Sequence, residues 1–394
     1  MEQIILFAFL ILFPFGQIIK IGQINPIDIV VALGAVTAII KRYQYPKYFN
    51  DFLLVAIFSY LLSIFIFKNS QVFVGLLYLI RLTAYFYFYI FVCHFKNRRL
   101  LLNSLLTLSF FTALFGWVQY FIYPDLTSLK YLGWDDHLYR LVGTFLDPGF
   151  TSLIIVFGGV ISFVKKKYLL LAFFAATLAF TYSRAGYLAL IVSLFLASYL
   201  FKRFKAFLVV LVYFLVIIFL LPRQGGEGVN LARMYSISSR INNYKETFEI
   251  FKKSPVIGVG FNNICLARKI YLDDINLSSH SCSGSDSSLL LILATTGIIG
   301  LIVFVGSAAK ILLNQDILPA SKSGVSRLSE DDISGSIHPR NKLRGILESC
   351  YKRGFYTKVF WVLLSAVFVH SFFVNSLFYP WVMGYLAISA SLTE

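Results

Sequence analysis

The sequence predicts an all-α, polytopic membrane protein with about twelve transmembrane helices and one large loop outside the membrane, and three observations carry that prediction. The charged fraction is 14%, where a soluble domain carries about a quarter. The hydrophobic fraction is 58% and the mean hydropathy +0.76, more apolar surface than a single water-soluble core encloses. The apolar residues also run uninterrupted by charge, as in Phe52–Phe67 and Ala206–Leu221. A run of roughly 17–25 such residues spans hydrocarbon as a helix, because a helix satisfies its own backbone there.

Taken in order, helices are expected near 3–19, 26–40, 51–67, 71–94, 100–123, 146–164, 167–182, 185–201, 206–221, 287–313, 357–374 and 376–392. The first stretch, Ile4–Ile19, lacks a basic n-region and a small-x-small cleavage site, so it reads as a retained helix rather than a secretory signal. Four short connections are basic: Lys41-Arg42 with Lys47, Lys96 with Arg98 and Arg99, Lys165 to Lys167, and Lys202-Arg203 with Lys205. They follow the second, fourth, sixth and eighth helices, so all fall on one side. The intervening connections are poorer, with Lys20, Lys68, Lys130, Arg140 and Arg184. Basic short loops stay cytoplasmic, so both termini are expected inside.

The chain then divides into membrane helices 1–9 (residues 1–221), an outer loop with an interfacial helix (222–286), helix 10 (287–313), a cytoplasmic loop (314–356) and helices 11–12 (357–394). The net charge of +16 is spread over loop clusters, the pattern of membrane anchors and not of a nucleic-acid face. The inner loop is rich in Ser, Gly and charge from Ser321 to Pro339, then basic and apolar from Arg340 to Arg353, which reads as a linker ending in a juxtamembrane helix. No internal repeat is visible, against a repeat-built transporter. Cys93 and Cys350 lie toward the reducing side, while Cys265 and Cys282 share the outer loop, where a disulfide can form. With His280 these two make three soft ligands at a spacing that fits no zinc pattern, so no metal or cofactor is expected.

In the outer loop, Ile241, Tyr244, Phe248 and Phe251 recur at helix spacing after Ser236–Ser239, and Pro255 ends the run. Such a helix lies on the membrane surface with its aromatic stripe down and Arg240 at its start. Ser254-Pro-Val-Ile-Gly-Val-Gly follows, its two glycines permitting a tight backbone path. Asp286 then introduces an apolar helix whose Gly297 and Gly300 suit helix packing, unless that Asp only caps the helix. Arg81 falls near the middle of the fourth helix, where a charge costs roughly 2.5–3.5 kcal/mol. It must therefore face a polar cavity or pair with backbone carbonyls. His370 and Asn375 are candidates to line the same cavity.

Four ordered stretches resemble the O-antigen polymerase and O-antigen ligase superfamily of bacterial surface-polysaccharide enzymes. They are Arg140-Leu-Val-Gly-Thr-Phe-Leu-Asp-Pro-Gly, Thr181-Tyr-Ser-Arg-Ala-Gly, Arg240 leading into Ser254-Pro-Val-Ile-Gly-Val-Gly, and Asp286 leading into the Gly297/Gly300 helix. The resemblance implies an inner-membrane glycosyltransferase whose active site faces the periplasm. Such an enzyme moves a sugar chain from a polyprenyl-diphosphate (undecaprenyl-type) carrier to an acceptor hydroxyl, without metal or nucleotide sugar. A reaction of that kind needs guanidinium groups on the departing diphosphate. The resemblance puts Arg184 and Arg240 there, with Arg140 and Arg81 as further candidates.

The acceptor needs a general base. In the ligases this is a His about eleven residues before the glycine matching Gly297, a spacing that here lands on Asp286, six residues after His280. Family spacing favours Asp286. Ordinary acidity favours His280, since an Asp starts near about 3.9 and a His near about 6.5. Asp147 also departs from the Asn-rich form usual in the family, which leaves it as a turn residue or a substrate contact. The reading is a polymerase of carrier-linked oligosaccharide repeats for an O-antigen, capsule or exopolysaccharide. A ligase of the same fold is the alternative, and a flippase for the same lipid the second. Candidate partners beyond that lipid and the bilayer are a chain-length regulator and a flippase of the pathway.

The orientation is open to test. In intact cells, cysteines placed at Lys166 and Lys202 should be shielded from an impermeant maleimide, while one at Gly226 should react. Labelling at Lys166 from outside would overturn the orientation.

Overall fold

The computed structural model of the protein describes residues 2–20, 24–44, 50–67, 71–132, 137–222, 227–231, 234–272, 284–314 and 339–393. Among these the fold is all-α, with no named strand. The helices are α1 (Glu2–Leu12), α2 (Pro26–Ile40), α3 (Asn50–Phe67), α4 (Val72–Cys93), α5 (Arg98–Ile122), α6 (Pro148–Val164), α7 (Tyr168–Ala179), α8 (Arg184–Leu200), α9 (Phe204–Leu220), α10 (Tyr235–Lys253), α11 (Ile264–Tyr271), α12 (Ser288–Asn314), α13 (Pro339–His370) and α14 (Pro380–Ser391). Three helices are long and apolar enough to cross a membrane, Val72–Cys93, Arg98–Ile122 and Ser288–Ala309, beside eight shorter apolar helices of 10–17 residues among the described residues. The expected count of about twelve spans is thus not reached on helix length alone.

α6 sits at the centre. It is apolar all round, and every residue from Thr151 to Val164 is buried, as a helix without a polar face requires. Its glycines admit close neighbours: a Cβ on Gly158 would lie 2.5 Å from the Phe174 ring of α7. The larger core cluster joins α6 to α1, α2, α4, α5, α7–α9, α13 and α14, and a smaller one joins α3 and α4 to α10–α12.

The basic connections collect at one end of the bundle. There Lys41 and Tyr43 meet Glu2, Lys165 meets Asn103, and Arg203 donates to the Phe163 and Val164 carbonyls at 2.9 and 2.8 Å, closing the C-terminus of α6. The starts of α6, α8, α12 and α14 share the other end, joined by Ser152 to Ser183 (3.1 Å) and by the Ser288 amide to the Ser371 carbonyl (2.9 Å). Cys265 in α11 is disulfide-bonded and Cys93 is a free thiol. Cys282 lies outside the described residues, as do 321–338 of the expected linker; the backbone of α13 is helical from Pro339 onward.

One feature has no counterpart in the sequence expectation. α12 is broken at Gly297, whose φ of 69° and ψ of −171° are not helical. A break inside an apolar helix strands backbone donors and acceptors that hydrocarbon cannot satisfy. The Ser254–Gly260 loop fills the gap. The Ile298 and Ile299 amides donate to the Pro255 and Val256 carbonyls at 2.9 and 3.3 Å, and the Val259 and Gly260 amides donate to the Ala294 and Thr295 carbonyls, both at 3.0 Å. Ser59 of α3 adds a bond to the Thr295 carbonyl at 2.6 Å. The approach leaves no room for side chains: a Cβ on Gly258 would stand 2.3 Å from Thr295 C, and one on Gly297 2.2 Å from Val256 O. The glycines read as packing and turn residues are thus the two sides of one backbone-to-backbone splice.

Gly297→Ala should therefore lower the apparent melting temperature of the detergent-purified protein by several degrees. The positive φ alone costs about 1–3 kcal/mol, before the clash. Gly306→Ala, where a Cβ meets nothing within 4 Å, is the control and should melt like the parent. Equal melting of all three proteins would remove the splice from the account.

Candidate functional site

The splice carries α10 and the start of α12 to the same place. α10 turns polar residues inward: Asn243 and Thr247 are 7% and 1% exposed, while Ile237, Ile241 and Phe248 face out. Lys245, Glu249, Lys252 and Lys253 are exposed beside that apolar stripe, the mixed face of a helix lying at a membrane surface. The Asn243 Oδ1 accepts the Asp286 amide at 2.9 Å and the Ser285 hydroxyl at 3.3 Å. Tyr244, next along α10, donates its hydroxyl to the Phe372 carbonyl at 2.5 Å. Helix α12 is capped by Ser287, whose Oγ accepts the Leu290 amide at 3.4 Å. Asp286 stands one residue earlier, half-buried, so the capping role open to it in the sequence falls to its neighbour.

Arg184 is the first residue of α8, where the helix dipole adds partial positive charge to its own. Ser183 caps that helix by accepting the Gly186 amide at 3.3 Å, and Arg184 Nη1 donates to the Leu231 carbonyl at 3.4 Å. Arg184 and Arg240, both half-buried, lie near enough to act on each other electrostatically. The field of Arg240 also reaches Tyr244 and His370, and that of Asp286 reaches Tyr244. Burial pushes the Tyr244 phenol above its ordinary range, with Arg240 pulling it back and Asp286 adding to the rise. Two guanidiniums, a carboxylate and a phenol, from α8, α10 and the start of α12, thus lie within reach of one another's fields.

The turn after α13 closes this site. His370 is fully buried, its Nδ1 3.2 Å from Ser376 Oγ, and Asn375 Oδ1 accepts the Ser288 hydroxyl at 3.2 Å. His370 thus ties the turn to the end of α13, and Asn375 ties it to α12. Asp147 caps α6 by accepting the Phe150 amide at 2.8 Å, and the Phe150 ring stacks on Tyr379 at 3.7 Å. An apolar cavity of about 210 Å³ lies between α3, α4, α12, α13 and α14; Leu377 and Phe378 of the same turn line it.

Two further candidate cations are held by protein groups. Arg140 is buried, and its guanidinium donates to the Thr181 and Tyr182 carbonyls at 3.1 and 3.4 Å, which pins the loop before α6 to the turn before α8. Arg81 pairs with Asp28 of α2 at 2.8 Å, and Tyr85 donates to the same carboxylate at 3.2 Å. The polar surroundings demanded of Arg81 are therefore a carboxylate on the adjacent helix. Asp28 escaped the sequence reading because an acidic residue three positions after Asn25 looks like an ordinary helix-start residue. Asn243 escaped it too, since attention went to the apolar stripe and the buried face is the polar one. His280 lies outside the described residues.

Residues 169–305, about a third of the chain, match the family model described as O-antigen ligase. The match supports the O-antigen polymerase and ligase superfamily. It contains Arg184, Arg240, Asp286 and both sides of the splice. Arg81, Arg140 and the turn after α13 fall outside it. No curated protein matches the chain.

If the Arg81–Asp28 pair is a structural link, Arg81→Met should lose about 1–3 kcal/mol by stranding a half-buried carboxylate. Arg81→Met with Asp28→Leu should regain most of that in a melting assay. A double variant no more stable than the single one would return Arg81 to the list of substrate contacts.

Proposed function

With the O-antigen polymerase and ligase superfamily as premise, we propose that this chain is a membrane glycosyltransferase that polymerises polyprenyl-diphosphate-linked oligosaccharide repeats. The observation that carries the reading is that Arg184 and Arg240 lie within electrostatic reach of each other, and Arg240 and Asp286 both reach Tyr244, at the end of the bundle away from the basic connections. An anion bound between two half-buried like charges relieves their mutual repulsion. A diphosphate leaving group is such an anion. Its charge grows as the glycosidic bond to the carrier breaks, so guanidiniums fixed beforehand favour the transition state over the ground state. In the same step the acceptor hydroxyl attacks the anomeric carbon and Asp286 takes its proton. The carrier leaves as the polyprenyl diphosphate.

The same reading orients the chain. The end bearing Lys41, Lys96, Lys165–Lys167 and Lys202 faces the cytoplasm, both termini lie there, and the arginine pair faces the periplasm. The outward apolar face of α10 then lies in the outer part of the bilayer, where a carrier lipid presents its diphosphate. The apolar cavity beside Leu377 and Phe378 offers hydrocarbon surroundings for the first isoprene units. Absence of a histidine at the ligase spacing favours polymerase over ligase.

Arg184→Lys and Arg240→Lys should each lose most turnover at normal protein level, because an ammonium cannot reproduce the planar two-point fork. Asp286→Asn should abolish extension of carrier-linked repeats extracted from the deletion strain. Normal turnover in Asp286→Asn with a dead His280→Ala would move the base to His280. In cells, deletion should remove long chains while single capped repeats persist; accumulation of unattached carrier-linked polymer would make the protein a ligase.

A further inference from the structure

The structure assigns to Asn243 the positioning of the base, an inference that rests on the reading of Asp286 as that base. Asn243 is buried, one helical turn from Arg240 and on the same helix. Its Oδ1 is shared by two donors, the Asp286 amide at 2.9 Å and the Ser285 hydroxyl at 3.3 Å. Thr247, one turn further on and almost fully buried, brings its Oγ1 to 3.2 Å from the same Ser285 hydroxyl. The segment 284–287 is otherwise held from the opposite side, where the Ser287 hydroxyl donates to the Ser371 carbonyl at 3.2 Å.

The consequence is geometric. Nothing in the backbone fixes a residue just ahead of a helix cap: Ser285 and Asp286 precede Ser287 and lie outside the α12 ladder. Asn243 fixes them, and it does so from the element that carries Arg240. The distance between the leaving-group cation and the proton acceptor is thereby set by one rigid helix and one buried amide. A side-chain acceptor here is also neutral. A carboxylate in its place would make the same hydrogen bonds but put a second negative charge beside Asp286, disfavouring its ionised form. Asn243 touches neither donor nor acceptor in this scheme, so its effect should fall on turnover and pH dependence and not on binding.

The test uses full-length protein in nanodiscs with carrier-linked repeats extracted from the deletion strain. Asn243→Leu should lower kcat on the order of 100-fold with KM for the lipid unchanged, the cost of a base displaced by about 1 Å. Asn243→Asp keeps the acceptor oxygen and should recover much of the maximal rate. Its like charge raises the base's pKa, so the acid limb of the kcat profile should move up by about one pH unit. Equal losses in kcat and in KM, with an unshifted limb in Asn243→Asp, would mean that Asn243 only supports the fold and overturn the inference. If Asp286→Asn turns over normally, the failure belongs to the base assignment instead. If Asp286→Asn is dead while Asn243→Leu is fully active, the positioning role fails by itself.

Discussion

The break in α12 is the constraint on which the rest of this structure depends. A helix interrupted within its apolar length leaves amides and carbonyls that water cannot reach, and each costs several kcal/mol if left unpaired. The Ser254–Gly260 loop supplies four backbone bonds across the break, and Ser59 adds another from α3. The loop is therefore held at the depth of Gly297, and everything attached to it inherits that position. α10 runs into the loop through Ser254 and α11 leaves it at Ile264. Arg268 of α11 then pairs with Glu246 of α10 at 2.6 Å, a further tie between the two flanking helices. The chain uses an irregular backbone inside an apolar region where another part of the protein covers it, the setting in which such irregularity is tolerated.

The site grows out of that arrangement. α10 turns Asn243 and Thr247 toward the bundle, so with the segment before α12 they bury a hydrogen-bonded cluster beside the apolar Ile250. Arg240 comes with the helix. Arg184 arrives independently, at the start of α8, where Ser183 and Ser152 lock two helix ends together. The turn after α13 binds α10 through Tyr244 and α12 through Ser287 and Ser288, so a segment outside the family match completes the scaffold.

The ionisable residues of this chain divide by what surrounds them. Arg81 and Arg140 are held by protein groups, one by a carboxylate that also accepts a phenol, the other by two carbonyls. Arg184 donates to the Leu231 carbonyl and also feels the field of Arg240, which adds repulsion to the cost of burial. A satisfied cation and a pair of like charges look the same in a sequence, where each is an Arg beside an apolar run. Their difference is one of partners, and partners are set by packing.

Much of the fold was legible because lipid imposes a simple rule on sequence. Long apolar runs become helices, and short basic connections alternate with poorer ones, so α2 and α3, and the gathering of the basic loops at one end, follow from residue order alone. The arginines of the cluster were legible as well, through their place in an ordered set of motifs. Gly258, Gly260 and Gly297 stand in the sequence as turn and packing residues only, since glycine states that a side chain is unwelcome and not which backbone approaches. Asp28 and Asn243 went unread, because their partners lie 53 and 43 positions away on other helices and a polar residue carries no mark of its distant partner. The sequence by itself determined the helices and their alternation, through the cost of bare backbone in an apolar solvent. Only the tertiary structure decided which polar groups meet, because that depends on how the helices pack against one another.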